Sequence, residues 1–239
     1  MFFKKKKKEK PPFEAFVPGI YKIFREQNHL LIGGCSGSGK SVILNGIIYS
    51  LLFNGNNRLI LIDPKKVELI DYKNLPHTEM YADNNTDIIQ ALNNTVLKME
   101  NIYKDMQKRH IKKYDGVHRY IIIDEFADLM TTCKKQALPL LCRIAQLGRA
   151  ANIHLFIATQ RPTRDIISGQ IKVNIDSRIA LRCPTAQDSR NIIELSGAEN
   201  LPKFGRCLYS SPDNENTIKY IVPMVPEEQI HELINYFTA

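Results

Sequence analysis

A glycine-rich segment, Gly34-Cys-Ser-Gly-Ser-Gly39-Lys40-Ser41, matches the pattern G-x-x-x-x-G-K-[ST]. A chain of phosphates needs several backbone N–H donors that converge on it, and glycines let the backbone curl tightly enough to supply them. The pattern predicts that Lys40 reaches the β- and γ-phosphates and that the Ser41 hydroxyl binds Mg²⁺. The alternative is a glycine-rich turn that binds no phosphate. The residues predicted to hold the nucleotide are Gly34, Cys35, Ser36, Gly37, Ser38, Gly39, Lys40, Ser41 and Val42.

An acidic pair follows a second apolar run, in the string Tyr120-Ile-Ile-Ile-Asp124-Glu125. A strand that ends in aspartate beside a phosphate-binding loop can hold Mg²⁺ through water, so Asp124 is the predicted metal residue. Glu125 is then placed to orient and deprotonate an attacking water. Asp-Glu after an apolar strand is common, and its catalytic interpretation depends on the glycine-rich segment upstream.

A third polar marker, Thr159-Gln160, closes another apolar run. In parallel sheets, ligands bind at the carboxyl ends of strands, so Gln160 is predicted to sense the γ-phosphate or its water. The alternative is a glutamine that only caps a loop.

The elements that must position these residues alternate between short apolar runs and amphipathic segments from residue 29 onward. Strands that are apolar on both faces and separated by helices predict an α/β fold with a mainly parallel sheet. A small β-hairpin is predicted within residues 207–225, followed by a short helix that starts at Pro226. The predicted strands are 29–33, 58–63, 120–124, 154–159 and 178–182, and the predicted helices are 41–53, 86–111 and 134–150.

Length and composition indicate one globular domain preceded by a basic arm. The chain has 239 residues, of which 44% are hydrophobic and 24% are charged. Its net charge is +8, and the first ten residues contain six lysines and one glutamate, so most of the excess lies in these ten residues, at the start of an arm over residues 1–18. This arm is predicted to hold DNA phosphates or acidic lipid, or to act only as a solvated tail. Residues 19–239 are predicted to form the domain.

Cysteine usage and hydropathy favour a cytoplasmic location. The five cysteines are widely spaced and include no C-x-x-C pair, which fits a reducing compartment and argues against structural zinc. No stretch of about 18 apolar residues is present, so no transmembrane helix is expected. The basic N-terminus lacks the apolar segment of a signal peptide.

Five strings, taken in order, resemble the motor of the FtsK/SpoIIIE family of DNA translocases. The similarity runs from about residue 28 to residue 225. It implies a RecA-like P-loop ATPase core that uses ATP and Mg²⁺, forms a hexameric ring and pulls double-stranded DNA through its pore. The strings are Gly34-Cys-Ser-Gly-Ser-Gly-Lys-Ser41, Leu61-Ile-Asp-Pro-Lys-Lys-Val-Glu-Leu69, Ile121-Ile-Ile-Asp-Glu-Phe-Ala-Asp-Leu-Met130, Ala158-Thr-Gln-Arg-Pro162 and Ile171-Lys-Val-Asn-Ile-Asp-Ser-Arg-Ile-Ala180.

The resemblance also implies roles for four basic residues. Arg149 matches the family's arginine finger, which reaches the γ-phosphate of a neighbouring subunit; the alternative is an exposed arginine favoured by a helix C-terminus. Arg161, Lys172 and Arg190 match positions that face DNA, although each alone is an ordinary surface cation.

Other functions stay open at this point. The family usually adds a membrane-spanning region and a winged helix, so the sequence resembles the minimal motors of plasmids, phages or integrative conjugative elements. A conjugative coupling protein or type VII secretion ATPase would move single-stranded DNA or protein instead. A nucleotide-binding regulator is disfavoured by the Asp124-Glu125 pair, and a P-loop kinase would need an acceptor pocket and lid that the sequence does not reveal.

Overall fold

The computed structural model describes residues 18–53 and 57–238; most of the predicted arm, residues 1–17, lies outside the described residues. The strands are β1 (His29–Gly33), β2 (Asn57–Ile62), β3 (Thr78–Ala82), β4 (His118–Ile123), β5 (Ile153–Thr159), β6 (Ser177–Ala180), β7 (Arg206–Ser210) and β8 (Ile218–Ile221). The helices are α1 (Gly19–Arg25), α2 (Lys40–Phe53), α3 (Asn85–Lys108), α4 (Phe126–Thr132), α5 (Lys134–Leu147), α6 (Gly169–Lys172), α7 (Ala186–Ile193) and α8 (Glu227–Thr238). Short 3-10 turns cover Ile70–Tyr72, Gly148–Ala151 and Ala198–Asn200. None of the helices within the described ranges has the length and apolar character that a membrane span requires.

The eight described strands form one sheet in the order β3-β2-β4-β5-β1-β6-β7-β8. Strands β1 to β6 pair in parallel, whereas β7 pairs antiparallel with both β6 and β8. The predicted α/β fold and the C-terminal hairpin are therefore confirmed, and the hairpin extends the main sheet. Because the central strands are parallel, their carboxyl ends meet at one edge, where such sheets bind their ligands.

The core lies on both faces of the sheet. In β4, Ile121 and Ile123 pack in a layer with α3 and α5, whereas Ile122 packs in the layer that contains α1, α2 and α8. All three side chains are fully buried. This two-sided burial explains why the central strands appear in the sequence as continuous apolar runs.

The sequence patterns do not predict β3, α1, α4, α6 or α7. Strand β3 lies at the edge of the sheet, and within it only Ala82 is buried. An edge strand of this kind needs no apolar run, so hydropathy alone does not mark it. The four missed helices have at most eight residues each, which is too short for a clear helical period.

The helix predicted over residues 134–150 is wrong at its C-terminal end. Helix α5 ends at Leu147, and the 3-10 turn Gly148–Ala151 follows. A Cβ atom on Gly148 would lie only 2.4 Å from the carbonyl oxygen of Ile153, so the chain can approach itself this closely only at a glycine. Asn152, with a left-handed φ of 55°, ends the turn and directs the chain into β5.

Candidate nucleotide-binding and hydrolysis site

The glycine-rich loop connects β1 to α2 at the carboxyl edge of the sheet. The Gly34 N–H donates to the Thr159 carbonyl at 3.3 Å, and the Cys35 N–H donates to the Arg182 carbonyl at 2.9 Å. The loop is thus fixed to the ends of β5 and β6, the two strands that flank β1. Helix α2 begins immediately afterwards, and its first-turn N–H groups have no partner within the helix, as at every helix N-terminus.

Three glycines give the loop its shape. Gly37 and Gly39 adopt left-handed φ values of 70° and 101°. A Cβ atom on Gly34 would lie 2.7 Å from both Leu181 Cβ and Ser38 Oγ. Side chains at these positions would either strain the backbone or fill the loop, so the glycines of the predicted pattern are sterically required.

Lys40 and Asp124 form a buried ion pair below the loop. The Lys40 ammonium donates to the Asp124 backbone carbonyl at 2.7 Å and makes a short contact with carboxylate oxygen Oδ1. Their exposed fractions are 4% and 1%. Burial raises the pKa of Asp124, and the Lys40 charge opposes that rise. The structure thus brings together the predicted phosphate cation and the predicted metal residue.

Glu125, which is 2% exposed, follows Asp124 and is held by several donors. Its Oε1 atom accepts from the Thr159 hydroxyl at 2.8 Å, from the Gln160 N–H at 3.1 Å and from the Ala127 N–H at 3.3 Å. The Lys65 ammonium lies 3.5 Å from Oε2. The ends of β2, β4 and β5 therefore converge on one carboxylate, and Gln160 contacts it through its backbone.

The site also contains buried oxygen atoms that fit a metal-bound triphosphate. Within residues 18–53 and 57–238, Ser38 Oγ, Asp63 Oδ1 and Asp124 Oδ2 are buried without a hydrogen-bond partner. Buried polar atoms are normally satisfied, and oxygen atoms of this kind are the donors that Mg²⁺ prefers. Ser41, the second predicted metal residue, lies half-buried in the first turn of α2. The residues present fit ATP and Mg²⁺.

Arg149 lies at the opposite edge of the sheet. It is exposed in the 3-10 turn that precedes β5, close to His29 at the start of β1. Burial lowers the pKa of His29 to about 4, and the Arg149 charge adds to the effect. Strand β5 has seven residues, so about 20 Å separates Arg149 from the site at its other end.

The three predicted DNA-facing residues do not form one cluster. Lys172 and Arg190 line a common cleft with Arg164, and the Lys172 ammonium donates to the Arg190 carbonyl at 3.4 Å. Lys172 also pairs with Glu194 at 3.3 Å, and burial lowers its pKa. Arg161 is exposed at the end of β5, where its N–H donates to the Thr159 hydroxyl.

Proteins with similar sequences identify the family of this chain. The sequence profile of the FtsK/SpoIIIE family matches residues 12–121 and 118–164. The chain belongs to the FtsK/SpoIIIE family. The DNA translocase FtsK of Helicobacter pylori strain J99 is 37% identical over 88% of this chain, and that of Staphylococcus epidermidis is 38% identical over 88%. This chain spans 27% and 29% of those two relatives, or less than a third of their length.

Solved structures in this family's fold class resemble the chain as well. The pCW3 conjugation coupling protein TcpA, solved with ATPγS, superposes with a TM-score of 0.79 at 24% identity over 89% of this chain and 66% of TcpA. The cytoplasmic domain of the type VII secretion ATPase EccC of Thermomonospora curvata gives a TM-score of 0.74 at 21% identity, over 88% of this chain and 28% of that domain's chain. At these identities the likeness shows the fold, a P-loop ATPase core.

Sequence reasoning missed two groups that contact Glu125. The sequence patterns assigned no role to Thr159, which only precedes Gln160, or to Lys65, which is part of the Asp63-Pro-Lys string that resembles this family. That string was the available signal, because Lys65 follows the predicted strand 58–63 by two residues, which places it at the carboxyl edge of a parallel sheet.

Proposed function

We propose that this chain is an ATP-hydrolysing motor that moves double-stranded DNA as a subunit of a hexameric ring. The observation that carries the hydrolysis part is the convergence of Lys40, Asp124 and Glu125 at one sheet edge, beside a loop shaped for phosphates. Membership of the FtsK/SpoIIIE family supports the DNA cargo.

The residues have complementary tasks in this proposal. The loop amides and Lys40 bind the triphosphate, and Ser41 with Asp124 would hold Mg²⁺, which when bound neutralises phosphate charge. Glu125 takes the proton of the attacking water while the bond from the γ-phosphorus to the β–γ bridging oxygen breaks. The contacts from Thr159 and Lys65 keep the Glu125 carboxylate at one position, so they are positioning groups.

The position of Arg149 supports the proposal of a ring. An arginine about 20 Å from its own phosphate loop cannot serve that loop, but it is exposed and free to reach a second subunit. One cation supplied by a neighbour stabilises charge on the transferred phosphoryl group and makes hydrolysis depend on assembly. Arg178, an arginine of the last family-like string, pairs with Glu194 at 2.7 Å and is therefore less available for this role.

The deciding experiment compares ATP hydrolysis with duplex DNA, single-stranded DNA, peptide or no addition, with Lys40→Ala as the background. Stimulation by duplex DNA alone, rising with duplex length, supports the proposal. Stimulation only by single strands or peptide would indicate a coupling-type or secretion-type motor. Activity that none of the additions changes would count against a polymer motor.

A second measurement tests the DNA contact. Arg190→Ala should weaken duplex binding and reduce the salt slope by about one phosphate contact. The matched control is Arg109→Ala, because Arg109 is an arginine already paired with Asp105 and Asp115 at the end of α3. Equal losses in the two variants would exclude a specific contribution from Arg190.

A further inference from the structure

Two segments beside the phosphate loop, on the side away from the carboxylates, each carry an exposed apolar side chain. A Cβ atom on Gly37 would lie 3.9 Å from Lys203 Cε, so the segment before β7 reaches the loop. The Lys203 ammonium lies over the Phe204 ring at 5.2 Å. Phe204 is 61% exposed and Met224 is 70% exposed, so neither side chain is needed to fill the core.

Hydrogen bonds hold the segments that carry Phe204 and Met224 close to each other and to helix α2. The Val222 N–H donates to the Gly205 carbonyl at 2.9 Å, which brings the end of β8 against the loop before β7. The Tyr21 hydroxyl contacts both the Pro223 carbonyl at 2.5 Å and the Val42 carbonyl at 3.4 Å. The segment that carries Met224 is thereby fixed to the first turn of α2.

The order of the strands determines on which side of β1 the two ends of a bound nucleotide lie. Asp124 and Glu125 follow β4, and Thr159 ends β5; both strands lie on one side of β1. The terminal phosphate must point to that side, where the hydrolytic carboxylate lies. The nucleoside end must then leave the loop on the other side, toward β6 and β7, where Lys203 and Phe204 lie.

We propose that Phe204 is the stacking surface for the base of the nucleotide whose phosphates occupy the glycine-rich loop, with Met224 beside it. This assignment rests on the proposed nucleotide function of the loop. An exposed aromatic ring offers a π-face to any base, and a thioether packs well against aromatic rings. Lys203, next to the loop, adds a cation on the same side.

The test measures the affinity of the full chain for Mg-ATP and for Mg-tripolyphosphate by calorimetry. Tripolyphosphate has the phosphates but no base, so it separates the two halves of the site. Phe204→Ala should weaken ATP binding roughly 5- to 150-fold, the range for loss of one base–aromatic stack, and leave tripolyphosphate affinity unchanged. Phe204→Trp should retain ATP affinity. The control Leu97→Ala removes a side chain of similar exposure, 58%, from α3 and should change neither affinity.

The outcomes separate this inference from the proposed function. Unchanged ATP affinity in Phe204→Ala, or an equal loss for ATP and tripolyphosphate, overturns the base-stacking role. Lys40→Ala should weaken both ligands because it removes the phosphate cation. If Lys40→Ala weakens both while Phe204→Ala weakens neither, the loop assignment stands and the stacking role falls. If the unaltered chain binds neither ligand, both fall.

Discussion

Replacing Lys40 should destabilise the fold as well as abolish nucleotide turnover. Lys40 and Asp124 are 4% and 1% exposed, and the ammonium contacts both a carbonyl and a carboxylate oxygen of Asp124. Lys40→Ala leaves the Asp124 charge buried without its cation. Removal of one partner from a buried pair costs about 3–5 kcal/mol, so we expect a loss of free energy of unfolding of that size.

A double variant tests the cause. Lys40→Ala combined with Asp124→Asn removes the uncompensated charge and should recover about 0.5–3 kcal/mol relative to Lys40→Ala alone, the range for residues in direct contact. The assay is urea unfolding followed by far-ultraviolet circular dichroism, because the sequence contains no tryptophan. A double variant as unstable as Lys40→Ala would show that lost packing of the lysine stem, and not buried charge, explains the deficit.

The loss of free energy of unfolding in Lys40→Ala should also depend on pH. Burial raises the folded pKa of Asp124, and loss of the opposing Lys40 charge raises it further. The folded state then binds a proton that the unfolded state, with a pKa of about 3.9, has already released. The stability gained from this proton is fully present below the unfolded pKa and is lost as pH rises through the folded one. The difference in stability between Lys40→Ala and the unaltered chain should therefore be smaller at about pH 5 than at about pH 8; equal differences would refute the reasoning.

Three further predictions concern function. Glu125→Gln should bind Mg-ATP but lose most hydrolysis, since the amide keeps the side chain's size without a base; near-normal turnover would reject that role. Arg149→Ala should fold and bind ATP yet hydrolyse at least ~10³-fold more slowly, and mixing it with Lys40→Ala should restore some activity at mixed interfaces. Mixtures that exchange subunits, verified by mass, but stay inactive would contradict a finger supplied by a neighbour. Deletion of residues 2–10 should weaken DNA binding at low salt and change it little near about 0.2 M, because clustered lysines act through counterion release. Equal shifts in affinity at both salt concentrations would indicate a more specific contact.

The candidate site residues and the family were readable from the sequence. A phosphate loop must be continuous in the chain, since its amides, Lys40 and Ser41 act together over a few residues. The Asp124-Glu125 pair is also local, as it ends an apolar run. Local patterns of this kind predicted the central strands, the hairpin and the resemblance to the FtsK/SpoIIIE family, and all three are confirmed.

The tertiary structure decided which distant groups meet. Hydropathy gives no strand order, so the position of β4 between β2 and β5, and with it the contact of Thr159 and Lys65 with Glu125, came only from the folded chain. The pairing of Lys172 with Glu194 is likewise a contact between separate segments. Edge strand β3 was missed because only one of its residues is buried.

The relative placement of the residues around the phosphate loop shows most clearly what only the tertiary structure decided. Arg149 and Glu125 were singled out from the sequence and Phe204 was not, and no local pattern relates the three residues in space. The parallel sheet puts Glu125 at its carboxyl edge, Arg149 at the amino edge and Phe204 on the far side of the phosphate loop. These relations arise because parallel strands share a direction and pair across long sequence separations, which no local pattern encodes.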